Sequence, residues 1–203
     1  MKDLYLEVNE HKYYYQGEAV DCVSDMLKIV DCITMKGIPH RNLEIAAERG
    51  TRVHNATEDL EYGMLDLTDD EWRQQNDEIY NYCVAYVTFM KDHPEIAISV
   101  EESMYSKVYE IAGTVDLVKH INGKIAIIDK KTTKTVSELR SSLQLNMYRI
   151  IWNELHPDLK AEELYILQLK DNGTYRFLPI SVNEDRVKEF LKIFKEIKGD
   201  KKI

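Results

Sequence analysis

Asp116 and Asp129 flank the dipeptide Asn122-Gly123 at equal distances along two β-rich runs, 113–121 and Lys124–Lys131. Asn-Gly between runs rich in Val and Ile specifies a two-residue hairpin turn, because both central residues of that turn need positive φ. Ile121 then pairs with Lys124, and Asp116 is placed opposite Asp129. Lys131, two residues beyond Asp129, shares its face. Opposed carboxylates stand roughly 5 Å apart at Cβ and repel each other. A divalent cation relieves that repulsion: carboxylates converging from neighbouring strands make an oxygen-rich site for Mg²⁺ or Mn²⁺, ions that keep water molecules for chemistry. The Lys131 ammonium is a poor metal ligand but a good partner for an anionic oxygen. A surface hairpin with solvated acids and lysines accounts for the same residues, so the chemical reading needs support from elsewhere in the chain.

Two helices supply it. Beyond the hairpin, from near Val136, apolar residues recur at Leu139, Leu143, Met147, Ile150 and Ile151, which is helical spacing. Gln144 and Tyr148 lie one turn apart on that helix and point the same way. Upstream, in a helical stretch over 43–60, Gly50 and His54 stand four apart. A mid-helix glycine costs about 1 kcal/mol relative to alanine and implies close approach of another element.

The remaining elements follow from period and punctuation. A β-like segment at Tyr13 leads into a helix over 18–35, in which Ala19, Cys22, Val23, Met26, Leu27 and Val30 fall at helical spacing. Gly37-Ile38-Pro39 breaks it. Asp69-Asp70 caps a third helix carrying Trp72, Ile79, Cys83, Val87 and Met90, which ends by His93-Pro94. Strands over 96–100 and 107–118 precede the Asn-Gly turn. A second hairpin over 164–169 and 175–180 turns at Asp171-Asn172-Gly173, and a helix with Val187, Phe190, Leu191, Phe194 and Ile197 follows. This order predicts an α/β fold, a central mixed β-sheet flanked by helices, in one domain over 1–203. Residues 1–95 are expected to be mainly helical and 96–203 to carry the sheet.

Composition narrows the class. No apolar run approaches the ~20 residues needed to span a bilayer, and no basic-then-apolar leader opens the chain, so a soluble, cytoplasmic protein without a membrane partner is expected. Cys22, Cys32 and Cys83 lack close spacing and read as reduced core residues. The formal charge of −9 sits oddly with a polyanionic partner. However, Lys119, Lys124, Lys130, Lys131, Lys134 and Arg140 gather around the hairpin against Asp129 and Glu138, which predicts a local positive field.

In order along the chain, Gly-x-x-x-His (Gly50, His54), Gly-Thr-Val-Asp (113–116), Ile-Ile-Asp-Lys-Lys-Thr (127–132) and Gln-x-x-x-Tyr (Gln144, Tyr148) resemble the motif series of the PD-(D/E)XK nuclease superfamily, in its RecB-like and phage exonuclease branch. The leader 11–17, His-Lys-Tyr-Tyr-Tyr-Gln-Gly, resembles short strands of phage members. The resemblance implies a restriction-endonuclease-like core that cleaves DNA with Mg²⁺ or Mn²⁺. It makes His54, Asp116, Asp129 and the Lys130 carbonyl metal ligands, Lys131 the catalytic lysine, and Gln144 and Tyr148 substrate-positioning residues. Either Glu101 or Glu102 would stand near the metal, and the sequence does not separate them. Some members hold an iron–sulfur cluster on four cysteines; with three, all before the hairpin, no such cluster is expected. No phosphate loop of the G-x-x-x-x-G-K-[ST] kind is present, so no motor accompanies the site. An exonuclease on DNA ends or single strands is the leading reading; the alternative is a catalytically silent member that binds nucleic acid or protein. A homo-oligomer or a recombination partner is compatible with either.

Overall fold

The computed structural model describes residues 3–7, 12–34 and 39–200 of the chain. Its strands are β1 (Leu4–Glu7), β2 (Lys12–Tyr15), β3 (Glu18–Cys22), β4 (Ala97–Ser106), β5 (Ile111–Ile121), β6 (Lys124–Lys131), β7 (Glu163–Leu169) and β8 (Tyr175–Ile180). Its helices are α1 (Val23–Thr34), α2 (His40–Glu61), α3 (Asp70–Gln75), α4 (Asp77–Asp92), α5 (Glu138–Leu155) and α6 (Glu184–Asp200). The strands join in one mixed sheet, ordered β1-β2-β3-β5-β6-β7-β8, with β4 beside β5. Helices cover both faces. On one, Val23 and Leu27 of α1, Leu145 and Trp152 of α5 and Leu191 of α6 pack with Ile127 and Ile166. On the other, Val53 of α2 and Cys83, Tyr86 and Phe89 of α4 pack with Leu117, Ile128 and Leu167. No helix among the described residues is long and apolar enough to cross a membrane.

The Asn-Gly hairpin forms in the predicted register, with Ile121 opposite Lys124 and Leu117 opposite Ile128. Asn122 and Gly123 both have positive φ, 51° and 80°, as the turn requires. Strand β5 is the branch point of the sheet. One of its edges is taken by β4 from Ile111 to Lys119. The other is shared: β6 occupies it from Leu117 onward and β3, in parallel, only at Ile111 and Ala112. Residues 113–116 therefore lie in a fork where β6 and β3 diverge. The regular alternation of faces breaks there too, since Val115 belongs to the α5-side core and Leu117 to the α2–α4 side.

Several expectations need correction. Residues 18–22, read as the start of a helix, are a strand paired with β2 and β5, and Cys22 is buried against Tyr13 and Ala112. Apolar spacing over five residues suits either state, and long-range pairing decides it. The predicted helix end at Met35, the break at Gly37-Ile38 and the leader residue His11 lie outside the described residues. Cys32 is exposed rather than in the core. Asp69 does cap a helix, accepting from the amides of Glu71 and Trp72. That helix, however, stops at Asn76, whose side-chain amide donates to the Trp72 carbonyl at 2.9 Å and competes with the helical bond. The strand begun near Ile96 runs to Ser106, and residues 107–110 are a turn rather than the start of the next strand.

Helix α5 is buried almost all round, from Ser141 through Tyr148 and again at Ile150–Trp152. Gly113 lets it approach: a Cβ there would lie 2.7 Å from Tyr148 Cε1 and 3.2 Å from Val23 Cγ2. Gly113→Ala is expected to lower stability by about 1–3 kcal/mol through overpacking. Urea unfolding of the variant beside the parent measures it; an unchanged midpoint would show that Tyr148 can move aside.

Candidate active site

Three carboxylates from neighbouring strands form one row at the fork. Val100 pairs with Leu117 and Glu102 with Val115, which sets Glu101 opposite Asp116. On the other edge, Leu117 pairs with Ile128, and the next position along each strand is Asp116 and Asp129. Glu101 carries φ 47°, a left-handed conformation inside a strand that turns its side chain out of normal alternation. Asp116 takes over the ladder where the strands part: its Oδ2 accepts from the Lys130 backbone N–H at 2.7 Å. Asp116 and Asp129 are both buried. Glu102 turns elsewhere, to the Ser99 hydroxyl and to His156 at 3.6 Å.

Helix α2 brings His54 to this row. Its Nδ1 stands 3.0 Å from Glu101 Oε1 and 3.8 Å from Asp116 Oδ1, and its Nε2 is 3.3 Å from the Lys130 carbonyl. Both ring nitrogens thus face acceptors, which suits an imidazolium. Burial opposes that charge, but Asp116 and Glu101 outweigh it and raise the His54 pKa. Burial, with Asp129 and Glu101 nearby, lifts Asp116 to about 6 against the pull of His54 and Lys130. Glu101 goes the other way: burial works against its charge, yet the hydrogen bond from His54 and the Lys130 ammonium hold it at about 2.

Two successive lysines of β6 serve opposite faces. Lys130 points into the α2–α4 side, where its fully buried Nζ is 2.8 Å from Glu101 Oε1 and donates to Thr57 Oγ1 at 2.9 Å. Lys131 points to the α5 side, donating to Asp129 Oδ1 at 2.9 Å and to Gln144 Oε1 at 3.2 Å. The Gln144 amide donates in turn to Tyr148 Oη at 3.3 Å. Arg140 also donates to Gln144 Oε1, at 3.1 Å, while its Nε holds Asp31 of α1 at 2.7 Å. Burial and the Asp116 charge push the Tyr148 hydroxyl well above 10, so it stays protonated and acts as a brace.

All seven residues singled out in the sequence line one cleft of ≈ 510 Å³, with Glu101, Gly50, Thr132 and Thr133 beside them. Gly50 does not owe its identity to packing. A Cβ there would meet Thr132 Oγ1 at 3.9 Å, an ordinary contact, so its absence widens the cleft instead of admitting another element. His54, Glu101 and Asp116 offer ligand atoms within 4.8 Å of one another, a donor set suited to a hard divalent ion. Asp129 Oδ2 is buried and has no hydrogen bond of its own, although Lys131 Nζ is 2.7 Å away. The charge of that buried carboxylate is met by the Lys131 ammonium at ion-pair distance. Glu101 was unresolved in the sequence because its positive φ defeats strand alternation. The Lys130 side chain was missed because its partners, Glu101 and Thr57, come from distant segments.

The predicted local positive field does not form as expected. Lys119 is buried over the Phe89 ring, Lys124 pairs with Glu163 at 3.0 Å, and Lys130, Lys131 and Arg140 are bound to acids as above. Among the described residues, Lys134 alone of that group is exposed without an acidic partner.

Against known proteins, the sequence model of the PD-(D/E)XK nuclease superfamily matches residues 26–200. No curated protein matches the chain. Among solved structures, a candidate exonuclease from Eubacterium rectale is 14% identical with a TM-score of 0.45, over 74% of this chain. The chain covers 64% of that protein's length. The protein SSO0001 is 14% identical with a TM-score of 0.35, over 73% of this chain and 85% of its own. Because the family match spans α2, β4, the β5–β6 hairpin and α5, which carry His54, Glu101, Asp116, Asp129, Lys131, Gln144 and Tyr148, the chain belongs to the PD-(D/E)XK nuclease superfamily.

Proposed function

We propose that the cleft hydrolyses phosphodiester bonds of DNA with a divalent metal, as an exonuclease on ends or single strands of the RecB-like kind, within one domain spanning 1–203. The observation that carries this reading is the row Glu101, Asp116 and Asp129, its two aspartates buried, with His54 above it and Lys131 beside it. His54, Glu101, Asp116 and Asp129 are the proposed holders of Mg²⁺ or Mn²⁺, with the Lys130 carbonyl as a further oxygen donor. Bound there, the ion would supply Lewis-acid stabilisation of phosphoryl charge and a more acidic water. Lys131 is the catalytic lysine: held between Asp129 and Gln144, its ammonium is preorganised toward charge that builds on a phosphate oxygen. Gln144 and Tyr148 fix its direction. The Lys130 side chain has a separate task, holding Glu101 ionised and in place from below.

The test is degradation of end-labelled linear single- and double-stranded DNA, beside a closed circle, with Mg²⁺ or Mn²⁺ and with EDTA. Metal-dependent loss of the linear substrates, sparing the circle, is expected, with Asp129→Ala or Lys131→Ala slower by ~10²-fold or more. Cutting of the circle would replace the exonuclease reading with an endonuclease. Absence of cleavage by folded protein would favour a silent binding member, a reading that the −9 charge supports.

Metal binding has its own readout. Mn²⁺ at a hundred times its Kd is expected to stabilise the fold by about 2.7 kcal/mol, seen as a rise in Tm, and Glu101→Gln to weaken that rise. Protons compete for the same oxygens. Because Asp116 titrates near 6 and the His54 pKa is raised, affinity should fall as pH drops through about 6 and level off above these values. Calorimetric titrations at pH 5.5 and pH 8 with equal affinity would exclude these ligands.

A further inference from the structure

Beyond Lys131, the same row of the sheet continues outward to its edge. Lys131 is registered opposite Gln168 of β7, and Gln168 opposite Arg176 of β8. Arg176 is therefore two strand spacings from the lysine, roughly 10 Å. Gln168 is buried and its amide donates to the carbonyls of Thr133 at 2.7 Å and Lys134 at 3.0 Å. This clamp fixes the loop after β6 as a ridge between two depressions. Thr132 and Thr133 line the cleft already described, and Lys134 lines a groove of ≈ 540 Å³ on the far side. Val136, Leu178 and Pro179 give that groove an apolar floor, Lys134 and Arg176 its cations, and Glu138 its one lining acid. Lys134 and Arg176 are exposed. Among the described residues neither has an acidic partner, and Arg176 makes one long bond, 3.4 Å, to Gln168 Oε1.

We propose that this groove is a substrate subsite that takes the stretch of single-stranded DNA next to the scissile phosphate, with Lys134 and Arg176 on its phosphates. The inference rests on the cleft being a DNA nuclease site and adds the path by which the strand leaves it. Three observations select the occupant. The groove continues a row that starts at the catalytic lysine. Its two cations are left uncommitted while the lysines and arginine around the hairpin are neutralised or buried. Apolar surface between two cations suits a chain that alternates phosphate with base and sugar, and suits a free anion poorly.

The experiment is fluorescence anisotropy of a labelled oligothymidylate with the full-length protein in EDTA, at several salt concentrations. The parent, Lys134→Ala, Arg176→Ala, the double variant and Lys192→Ala, an exposed charge on α6, are compared after circular dichroism confirms folding. Each groove substitution is expected to weaken binding severalfold and to reduce the slope of log K against log[salt] by about 0.7, the double variant by about 1.4. Lys192→Ala should leave the slope at the parent value. Slopes unchanged in the groove variants, in a parent that binds and cleaves DNA, would overturn the subsite and leave the nuclease reading intact. A parent that neither binds the strand nor cleaves linear DNA with metal would overturn both.

Discussion

Placing Glu101, Asp116 and Asp129 side by side on adjacent strands, the aspartates buried and the glutamate partly so, is the constraint that the structure around them answers. Like charges so placed cannot all ionise without compensation. The fold answers with cations aimed from separate directions: Lys130 from the α2–α4 side, Lys131 from the α5 side and the His54 ring from α2. The two lysines leave β6 on opposite faces and the ring comes from α2, so the strand and the helix are both tied to the row. Without a metal the charges balance when His54 is protonated, and a divalent ion and that proton are alternatives for one space. The proton is in this sense a placeholder at the His54 ring, whose cationic form is what the surrounding acids favour.

The cleft at the carboxylate row is opened by sheet topology. Strand β5 has more neighbours than it has full edges, and the fork between β6 and β3 leaves Asp116 without a strand partner on that side. The Lys130 amide then bonds to the Asp116 carboxylate in place of a backbone carbonyl, so the break in the ladder costs little. Gly113 sits in the same fork and brings α5 against the sheet, which carries Gln144 to Lys131. A vacancy in pairing, a missing side chain and a carboxylate in the backbone's place together make the site.

Local chemistry was legible in the sequence and long-range chemistry was not. The Asn122-Gly123 turn fixes its own register, so the opposition of Asp116 and Asp129 could be counted from it. The i,i+4 spacings of Gly50 with His54 and of Gln144 with Tyr148 needed only a helix. By contrast, Glu101 depends on a left-handed backbone that no run of apolar residues announces, and the Glu18–Cys22 strand depends on a parallel partner some ninety residues later. The expected basic field failed for a related reason. Counting lysines along the chain ignores the acids that folding brings to them, as Glu163 comes to Lys124 and Asp31 to Arg140.

Strand β6 carries Asp129 and both lysines, and its outer edge is closed by β7 in parallel, from Ala126 with Glu163 to Lys131 with Gln168. A parallel neighbour needs a crossover, here the whole of α5, before it can arrive. While the chain is being made, β6 therefore remains an open edge until residues well past the hairpin have emerged. The carboxylate row can form before then, but Gln144, the braced lysine and the Gln168 clamp on the loop after β6 cannot. The order of synthesis thus delays the complete cleft until all of the sheet but β8 has been made.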